Sequence, residues 1–160
     1  MFRKLLHTDN DTVLTVVRVL LGIVFFCHGA QKMLGWFGGY GFTATMGFFT
    51  HSGIPPVFAF LAIAAEFFGS LGLILGFLTR IAAFGITCNM LVAIATVHLH
   101  NGLFMNWFGN QKGEGFEYHL LVLALTFLIM VRGAGALSID WFLTHRSEPD
   151  ETRRVAFSKA

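Results

Sequence analysis

The sequence predicts an all-α protein: a four-transmembrane-helix bundle with both termini in the cytoplasm and an aromatic, glycine-rich outer loop between the first and second helices. Hydrophobic residues make up 55% of the 160 residues and charged residues only 12%, whereas soluble domains carry about 25% charged residues. Four apolar stretches approach the roughly 20 residues that a helix needs to cross a bilayer. A soluble globule of this size could not bury so much apolar surface, so we expect an integral membrane protein.

The four predicted spans follow from where the apolar runs begin and end. Polar residues before the first run offer N-caps, and Pro55 and Pro56 precede the second run, where proline does not break a helix. The third run starts directly after the second, which predicts a tight helical hairpin. The glycine-rich segment 101–115 predicts a loop before the fourth run. The predicted spans are residues 13–34, 57–78, 81–98 and 116–131.

Lysine and arginine residues predict the orientation, because basic flanks stay in the cytoplasm. Only Lys32 and Lys112 fall at one end of the four-span arrangement. We therefore expect both termini in the cytoplasm, with residues 1–143 forming the membrane domain and residues 144–160 a polar, flexible cytoplasmic tail. The basic residues at the cytoplasmic end are Arg3, Lys4, Arg80, Arg146, Arg153, Arg154 and Lys159.

The predicted outer loop, residues 35–56, combines aromatic residues with glycine and contains no charged residue. Aromatic side chains are enriched where the membrane meets water, so these residues can form an interfacial belt. They can alternatively form a lid over the bundle, and the sequence does not decide between the two. The aromatic residues are Trp36, Phe37, Tyr40, Phe42, Phe48 and Phe49.

Polar side chains gather in the outward half of the predicted bundle. Glu66 lies nine residues into the second span, about 13 Å deep at 1.5 Å per residue, where an unpaired carboxylate costs several kcal/mol. Lys32 and His28 are its natural partners, because they lie four residues apart on one face of a neighbouring helix. The cluster is either a structural ion pair or a functional site. The candidate pocket residues are His28, Gln31, Lys32, Glu66, His98, Asn101 and Glu117.

A second set of charges lies on the cytoplasmic side and is expected to be structural. Arg18 is five residues from the start of its span, so its guanidinium can extend to the membrane surface. A pair between Asp140 and either Arg18 or Arg80 would clamp the helix ends together. The sequence leaves the choice between these two pairs open.

The residues present also argue against several function classes. A net charge of +2 with scattered basic residues predicts no nucleic-acid surface. His98 and His100 project to nearly opposite sides of a helix, so together they form a poor metal chelate. A b-type haem would need histidines from two helices at matching depth, and nothing else in the sequence indicates haem. We therefore predict no intrinsic metal or haem.

Four stretches follow one another along residues 13–143: "RVLLGIVFFCHGAQKMLGWFGG", "AAEFFGSLGLILGFLTR", "VHLHNGLF" followed by "GEGFEY", and "GAGALSID". In this order they resemble the DoxX family of small bacterial membrane proteins. The resemblance implies a four-helix membrane bundle. Some members of that family resemble membrane subunits of a thiosulfate:quinone oxidoreductase or associate with redox-stress enzymes, and distant ones resemble assembly factors. The residues it implicates are Arg18, His28, Gly29, Lys32, Glu66, Arg80, His98, Asn101, Gly102, Glu117 and Asp140.

The pocket and the resemblance together lead to two hypotheses. The first is a quinone-linked redox subunit of the bacterial inner membrane, in which the pocket residues exchange protons with quinone and a protein partner supplies electrons. The second is a non-enzymatic scaffold or assembly factor for a membrane complex. A proton-coupled solute carrier is disfavoured, because the inner half offers few polar groups. Membrane lipid surrounds the bundle in each case, and a homo-oligomer is compatible with the sequence.

Overall fold

The computed structural model describes residues 5–145, and their secondary structure is helical, with no strand among them. The predicted all-α class is confirmed for this part of the chain. After α4, residues Ile94–His98 form a π-helical segment and Leu99–Asn101 a 3₁₀ turn. The α-helices are α1 (Thr12–Met33), α2 (Gly41–His51), α3 (Pro56–Leu75), α4 (Thr79–Ala93), α5 (Glu117–Arg132) and α6 (Ile139–His145).

Four of these helices enclose one apolar core. Helices α1, α3, α4 and α5 contact each other in that order, and α1 also contacts α5. Large apolar side chains remain exposed on the outer surface of the helices, as Val16, Phe84 and Phe127 show. That distribution suits a bundle surrounded by lipid rather than water. The core consists of Leu14, Leu21, Phe25, Leu73, Ala83, Ile86, Met90, Val122 and Ile129.

Three helical segments are long and apolar enough to cross a membrane: Thr12–Leu34, Pro56–Leu75 and Thr79–Asn101. They correspond to the first three predicted spans. The third is longer than predicted, because it begins at Thr79 and the 3₁₀ turn Leu99–Asn101 continues the helical path beyond His98. Helix α5, at the position of the fourth predicted span, has 16 residues and is therefore about 24 Å long.

The segment predicted as an outer loop contains a helix, α2, which contacts α1 and α3. Gly35 and Gly41 have φ values of 75° on either side of the link into this helix, a conformation that glycine adopts without steric cost. Tyr40 is 87% and Phe48 69% exposed, so these rings do not pack into the bundle core. The predicted connection over residues 35–56 therefore contains the short helix α2, and the belt and the lid both stay predictions.

One end of the bundle is fixed by Arg18, which is fully buried. The expectation that its guanidinium extends to the membrane surface is therefore wrong. It donates to the carbonyls of Leu73, of Ile74 at 2.8 Å and of Ala134 at 2.8 Å. The last carbonyls of a helix have no partner within the helix and carry partial negative charge, so the C-terminus of α3 attracts the cation. Arg18 binds these carbonyls rather than forming the predicted ion pair with Asp140.

Asp140 has a different role at this end, which we call the Arg18 end. Its carboxylate accepts from the backbone N–H groups of Leu78 at 2.9 Å and Thr79 at 3.0 Å, and from the Thr79 hydroxyl at 2.8 Å. It therefore caps the start of α4 from a distant part of the chain. Arg80 donates to the Met130 carbonyl at 2.8 Å and joins α4 to α5. The predicted tight hairpin between α3 and α4 is confirmed.

Part of the predicted topology lies outside the described residues. Arg3, Lys4 and the basic residues beyond position 145, on which the predicted orientation rests, are among these positions. The predicted tail lies there too from residue 146 onward. Its first two residues, Thr144 and His145, belong to α6.

Candidate functional site

Glu66 is held between two neighbouring helices. Its side chain on α3 is 8% exposed and forms an ion pair with the ammonium group of Lys32 on α1. The side-chain amide of Asn89 on α4 donates to the other carboxylate oxygen at 2.8 Å. Both oxygens of Glu66 are therefore hydrogen-bonded, and three helices meet at one carboxylate. The predicted pairing of Glu66 with Lys32 is confirmed.

A glycine on α1 brings Lys32 within reach of Glu66. A Cβ atom at position 29 would lie 2.7 Å from the backbone N and Cα of Phe67 and 2.8 Å from the carbonyl carbon of Glu66. The backbones of α1 and α3 therefore touch at Gly29, the close approach that small residues permit between membrane helices. Lys32 follows three residues later on the same side of α1, so its ammonium group meets the carboxylate.

His28 and Gln31 do not join the carboxylate. His28 is exposed, and its ring packs edge-on against Phe25 with the ring centroids 6.5 Å apart. The second partner of Glu66 is Asn89 rather than His28, because the carboxylate oxygen not bound by Lys32 is taken by that amide. Gln31 donates from its side chain to the Phe37 carbonyl at 3.2 Å and so fixes the chain after α1.

A histidine pair lies where α4 ends and α5 begins. His98 is the last residue of the π-helical segment, a feature that is frequent at functional sites. Its ring lies against that of His119 with the centroids 4.1 Å apart. The Nδ1 atom of His98 is 2.8 Å from the Glu114 carbonyl; a carbonyl only accepts, so Nδ1 carries the hydrogen and Nε2 of the neutral ring is the basic atom. Within residues 5–145, no three His, Cys, Asp or Glu side chains are grouped to hold a metal ion.

Two predicted pocket residues organise the loop between α4 and α5. The Asn101 side chain donates to the Glu114 carbonyl at 3.1 Å. The Glu117 carboxylate accepts from the backbone N–H of Met105 at 2.9 Å and from the indole of Trp107 at 3.3 Å. Because Nδ1 of His98 binds the same Glu114 carbonyl, these contacts connect Asn101 and Glu117 to His98 through the loop.

Two consecutive residues at the start of α5 bury polar atoms without a partner. Among the described residues, neither the Tyr118 hydroxyl nor Nδ1 of His119 makes a hydrogen bond. His119 is 6% exposed, and Tyr118 packs against the apolar core. The two rings meet edge to face, 5.7 Å apart. Because buried polar groups in proteins are nearly always paired, these two atoms have hydrogen-bonding capacity that water, an ion or another molecule could use.

Sequence reasoning missed three residues of this site. Asn89 carries a signal, because an amide in the middle of an apolar span needs a partner. His119 was visible only as one polar residue at the start of the fourth span. Tyr118 carries no distinguishing signal, since a tyrosine near a helix end is also typical of the membrane interface.

An open groove of about 700 Å³ lies at the opposite, Arg18 end of the bundle. None of the residues that line it is titratable, so it offers no acid–base chemistry of its own. The groove is lined by Asn10, Thr12, Leu75, Ala136, Leu137, Ser138, Ile139, Trp141 and Phe142.

Comparison with known proteins gives one family and three relatives. The family model DoxX matches residues 13–99. The protein named "Putative oxidoreductase CatD" of Bacillus subtilis is 32% identical over 128 residues, which cover 80% of this chain and 84% of that protein. The inner membrane protein YqjF of Escherichia coli is 29% identical over 137 residues, which cover 86% of this chain and 96% of that protein. The membrane protein Rv3486 of Mycobacterium tuberculosis is 29% identical over 151 residues, which cover 90% of this chain and 89% of that protein. No solved structure matches the chain significantly.

Proposed function

This chain belongs to the DoxX family, and from that premise we propose that it is a quinone-linked redox subunit of the bacterial inner membrane. A quinone accepts two electrons and two protons and becomes a hydroquinone. In this proposal an electron-donating partner protein supplies the electrons, and side chains of this bundle bind the quinone and handle the protons. The word "oxidoreductase" in the name of the Bacillus subtilis relative agrees with the proposal.

The observation that carries this proposal is the set of acid–base groups inside an otherwise apolar bundle. The Glu66 carboxylate is bound by Lys32 and Asn89, and the rings of His98 and His119 are in contact near the ends of α4 and α5. Ionisable groups within membrane helices are costly and mark functional sites by default. The apolar surroundings suit a quinone ring and tail, and the basic Nε2 atom of His98 suits proton transfer.

The proposed topology has four spans with both ends in the cytoplasm. At 16 residues, α5 is shorter than the roughly 30 Å hydrocarbon core, and local thinning of the bilayer or tilting of its neighbours can accommodate such a helix. Arg80 and Arg132 lie toward one end of the bundle and Lys112 in the loop at the other, a distribution that agrees weakly with a cytoplasmic Arg18 end. Labelling of single introduced cysteines from either side of the membrane tests this topology.

The test of function is to measure quinone in the purified protein. Wild type, Glu66→Gln and Asp140→Asn are solubilised in the same detergent, and bound quinone is counted by mass spectrometry per folded molecule. We expect quinone near one per wild-type chain, a large loss in Glu66→Gln, and retention in Asp140→Asn, which makes the same carboxylate-to-amide change at the Arg18 end. Quinone at background level in well-folded wild type would refute the proposal.

One observation favours a second candidate, a scaffold or assembly factor. Both oxygens of Glu66 are already used in bonds between helices, as they would be in an ion pair that only fixes helix order. Under this alternative no quinone is retained by any of the three proteins. Glu66→Gln would then lower the thermal stability of the bundle without any effect on a ligand.

A further inference from the structure

We propose that Tyr118 and His119 are the residues that contact the quinone head group, at the interface of α4 and α5. This inference rests on the proposed function and specifies where on the bundle it takes place. Neither residue was among the pocket residues predicted from the sequence. The Lys32–Glu66–Asn89 network is then a positioning element next to the binding site rather than its contact surface.

The distribution of unused hydrogen-bonding capacity points to these two residues. Glu66 has Lys32 on one oxygen and Asn89 on the other, so a ligand would have to displace an existing partner to reach it. Nδ1 of His98 is likewise occupied by the Glu114 carbonyl. Burying a polar group without a partner is unfavourable, and more so inside a membrane, where water is scarce. A ligand that pairs with such groups recovers this cost on binding.

The unpartnered atoms lie between the two acid–base clusters. Tyr118 packs against the core and is close enough to Glu66 for the carboxylate to act on its hydroxyl electrostatically. His119 is in ring contact with both Tyr118 and His98. A head group bonded to Tyr118 and His119 would therefore lie beside His98 and within the electrostatic reach of Glu66.

The chemistry of the two groups matches the two forms of a quinone. A phenol hydroxyl donates to a quinone carbonyl oxygen, whereas an imidazole nitrogen can accept from a hydroquinone hydroxyl or donate to a carbonyl, depending on its tautomer. His98 lies directly against His119, and because its Nδ1 donates to the Glu114 carbonyl in the loop, its Nε2 atom is the one that can exchange protons. The pair can thus serve both forms without a rearrangement of the helices.

The chain offers a matched test, since its only other tyrosine, Tyr40, is 87% exposed. Tyr118→Phe and His119→Phe are compared with Tyr40→Phe by titration of a short-tailed quinone into each detergent-solubilised protein, with tryptophan fluorescence as the signal. We expect each site variant to bind about tenfold more weakly, which corresponds to about 1.4 kcal/mol. The Tyr40→Phe variant should bind like wild type.

The melting temperature of Tyr118→Phe distinguishes a role of the Tyr118 hydroxyl in binding from a role in folding. Because the Tyr118 hydroxyl has no partner to lose, Tyr118→Phe should keep the melting temperature of wild type when no quinone is added. The infrared carbonyl band of bound quinone should also shift between wild type and Tyr118→Phe, since a hydrogen bond lowers its frequency. Wild-type affinity in both site variants overturns this inference and leaves the proposed function standing; it would mean that ordered water pairs with the two atoms. If wild type binds no quinone, the proposed function and this inference fail together.

Discussion

Replacement of Gly29 by alanine should separate α1 from α3 and destabilise the bundle. The added Cβ would lie 2.7 Å from backbone atoms of Phe67. Backbone atoms of a packed helix cannot move aside as the end of a flexible side chain can. One of the two helices must therefore shift by about 0.7 Å to restore an ordinary contact of 3.4 Å, and the shift also stretches the link between Lys32 and Glu66.

The size of the effect follows from the contact. Overpacking of a well-packed interior typically costs about 1–3 kcal/mol, and alanine returns up to about 1 kcal/mol through its higher helix propensity. The difference between these two terms lies between about 0 and 3 kcal/mol. A decrease of about 1–2 kcal/mol in the free energy of unfolding, near the middle of that range, lowers the melting temperature by about 2–8 °C in a chain of this length. Gly69→Ala on α3 is the matched control, because its Cβ would have its nearest contact at 3.5 Å, an ordinary distance. This control should be neutral or slightly stabilising.

The assay is thermal unfolding in one detergent, followed by the loss of helical circular dichroism, for wild type, Gly29→Ala and Gly69→Ala. The reasoning predicts a clear decrease for Gly29→Ala alone. A Gly29→Ala protein that melts with wild type would show that the helices do not touch at this position. Equal destabilisation by both substitutions would show that any glycine-to-alanine change in these helices has this effect. The close approach of α1 and α3 at Gly29 would then not be its cause.

Two further predictions concern the Arg18 end. Arg18→Lys keeps the charge but loses the forked donors that bind the carbonyls of Ile74 and Ala134 together. We therefore expect the free energy of unfolding to decrease by at least about 2 kcal/mol. A melting temperature equal to that of wild type would contradict this. Asp140→Ala removes the acceptor of the Leu78 and Thr79 N–H groups and should cost about 1–3 kcal/mol. Hydrogen exchange should then accelerate at these two amides, and unchanged exchange would argue against the cap.

Much of the fold could be predicted because apolar length and helix-breaking residues are local signals. The first three spans, the tight hairpin before Thr79 and the glycine-rich loop after Asn101 all follow from such signals. The helix α2 could not be placed in the same way, because its sequence, Gly41–His51, mixes glycine with aromatic residues and has no strong helical period. Its position depends on contacts with α1 and α3.

The sequence predicts how far along each span a polar side chain lies, but not which neighbouring helix that side chain faces. Counting residues along the spans places Glu66 about 13 Å deep and Lys32 nearer the outward end of its span, and the structure pairs the two through the long lysine side chain. The same counting cannot tell which faces of α4 and α5 turn inward, so it missed Asn89 and Tyr118. The prediction for Arg18 failed for a related reason: the carbonyls that bind it become available only where α3 ends against the segment after α5.

The cap at the Arg18 end also has a consequence for the order of biosynthesis. Arg18 binds a carbonyl 116 positions downstream, and the amides of Leu78 and Thr79 are capped by a residue 62 and 61 positions downstream. The first helices therefore leave the ribosome before Ala134 and Asp140 have been synthesised. A chain truncated before Ala134 keeps the Leu73 and Ile74 carbonyls that bind Arg18 but lacks the Ala134 carbonyl and the Asp140 cap. The Arg18 end is therefore completed only when the last helix of the described chain has been made.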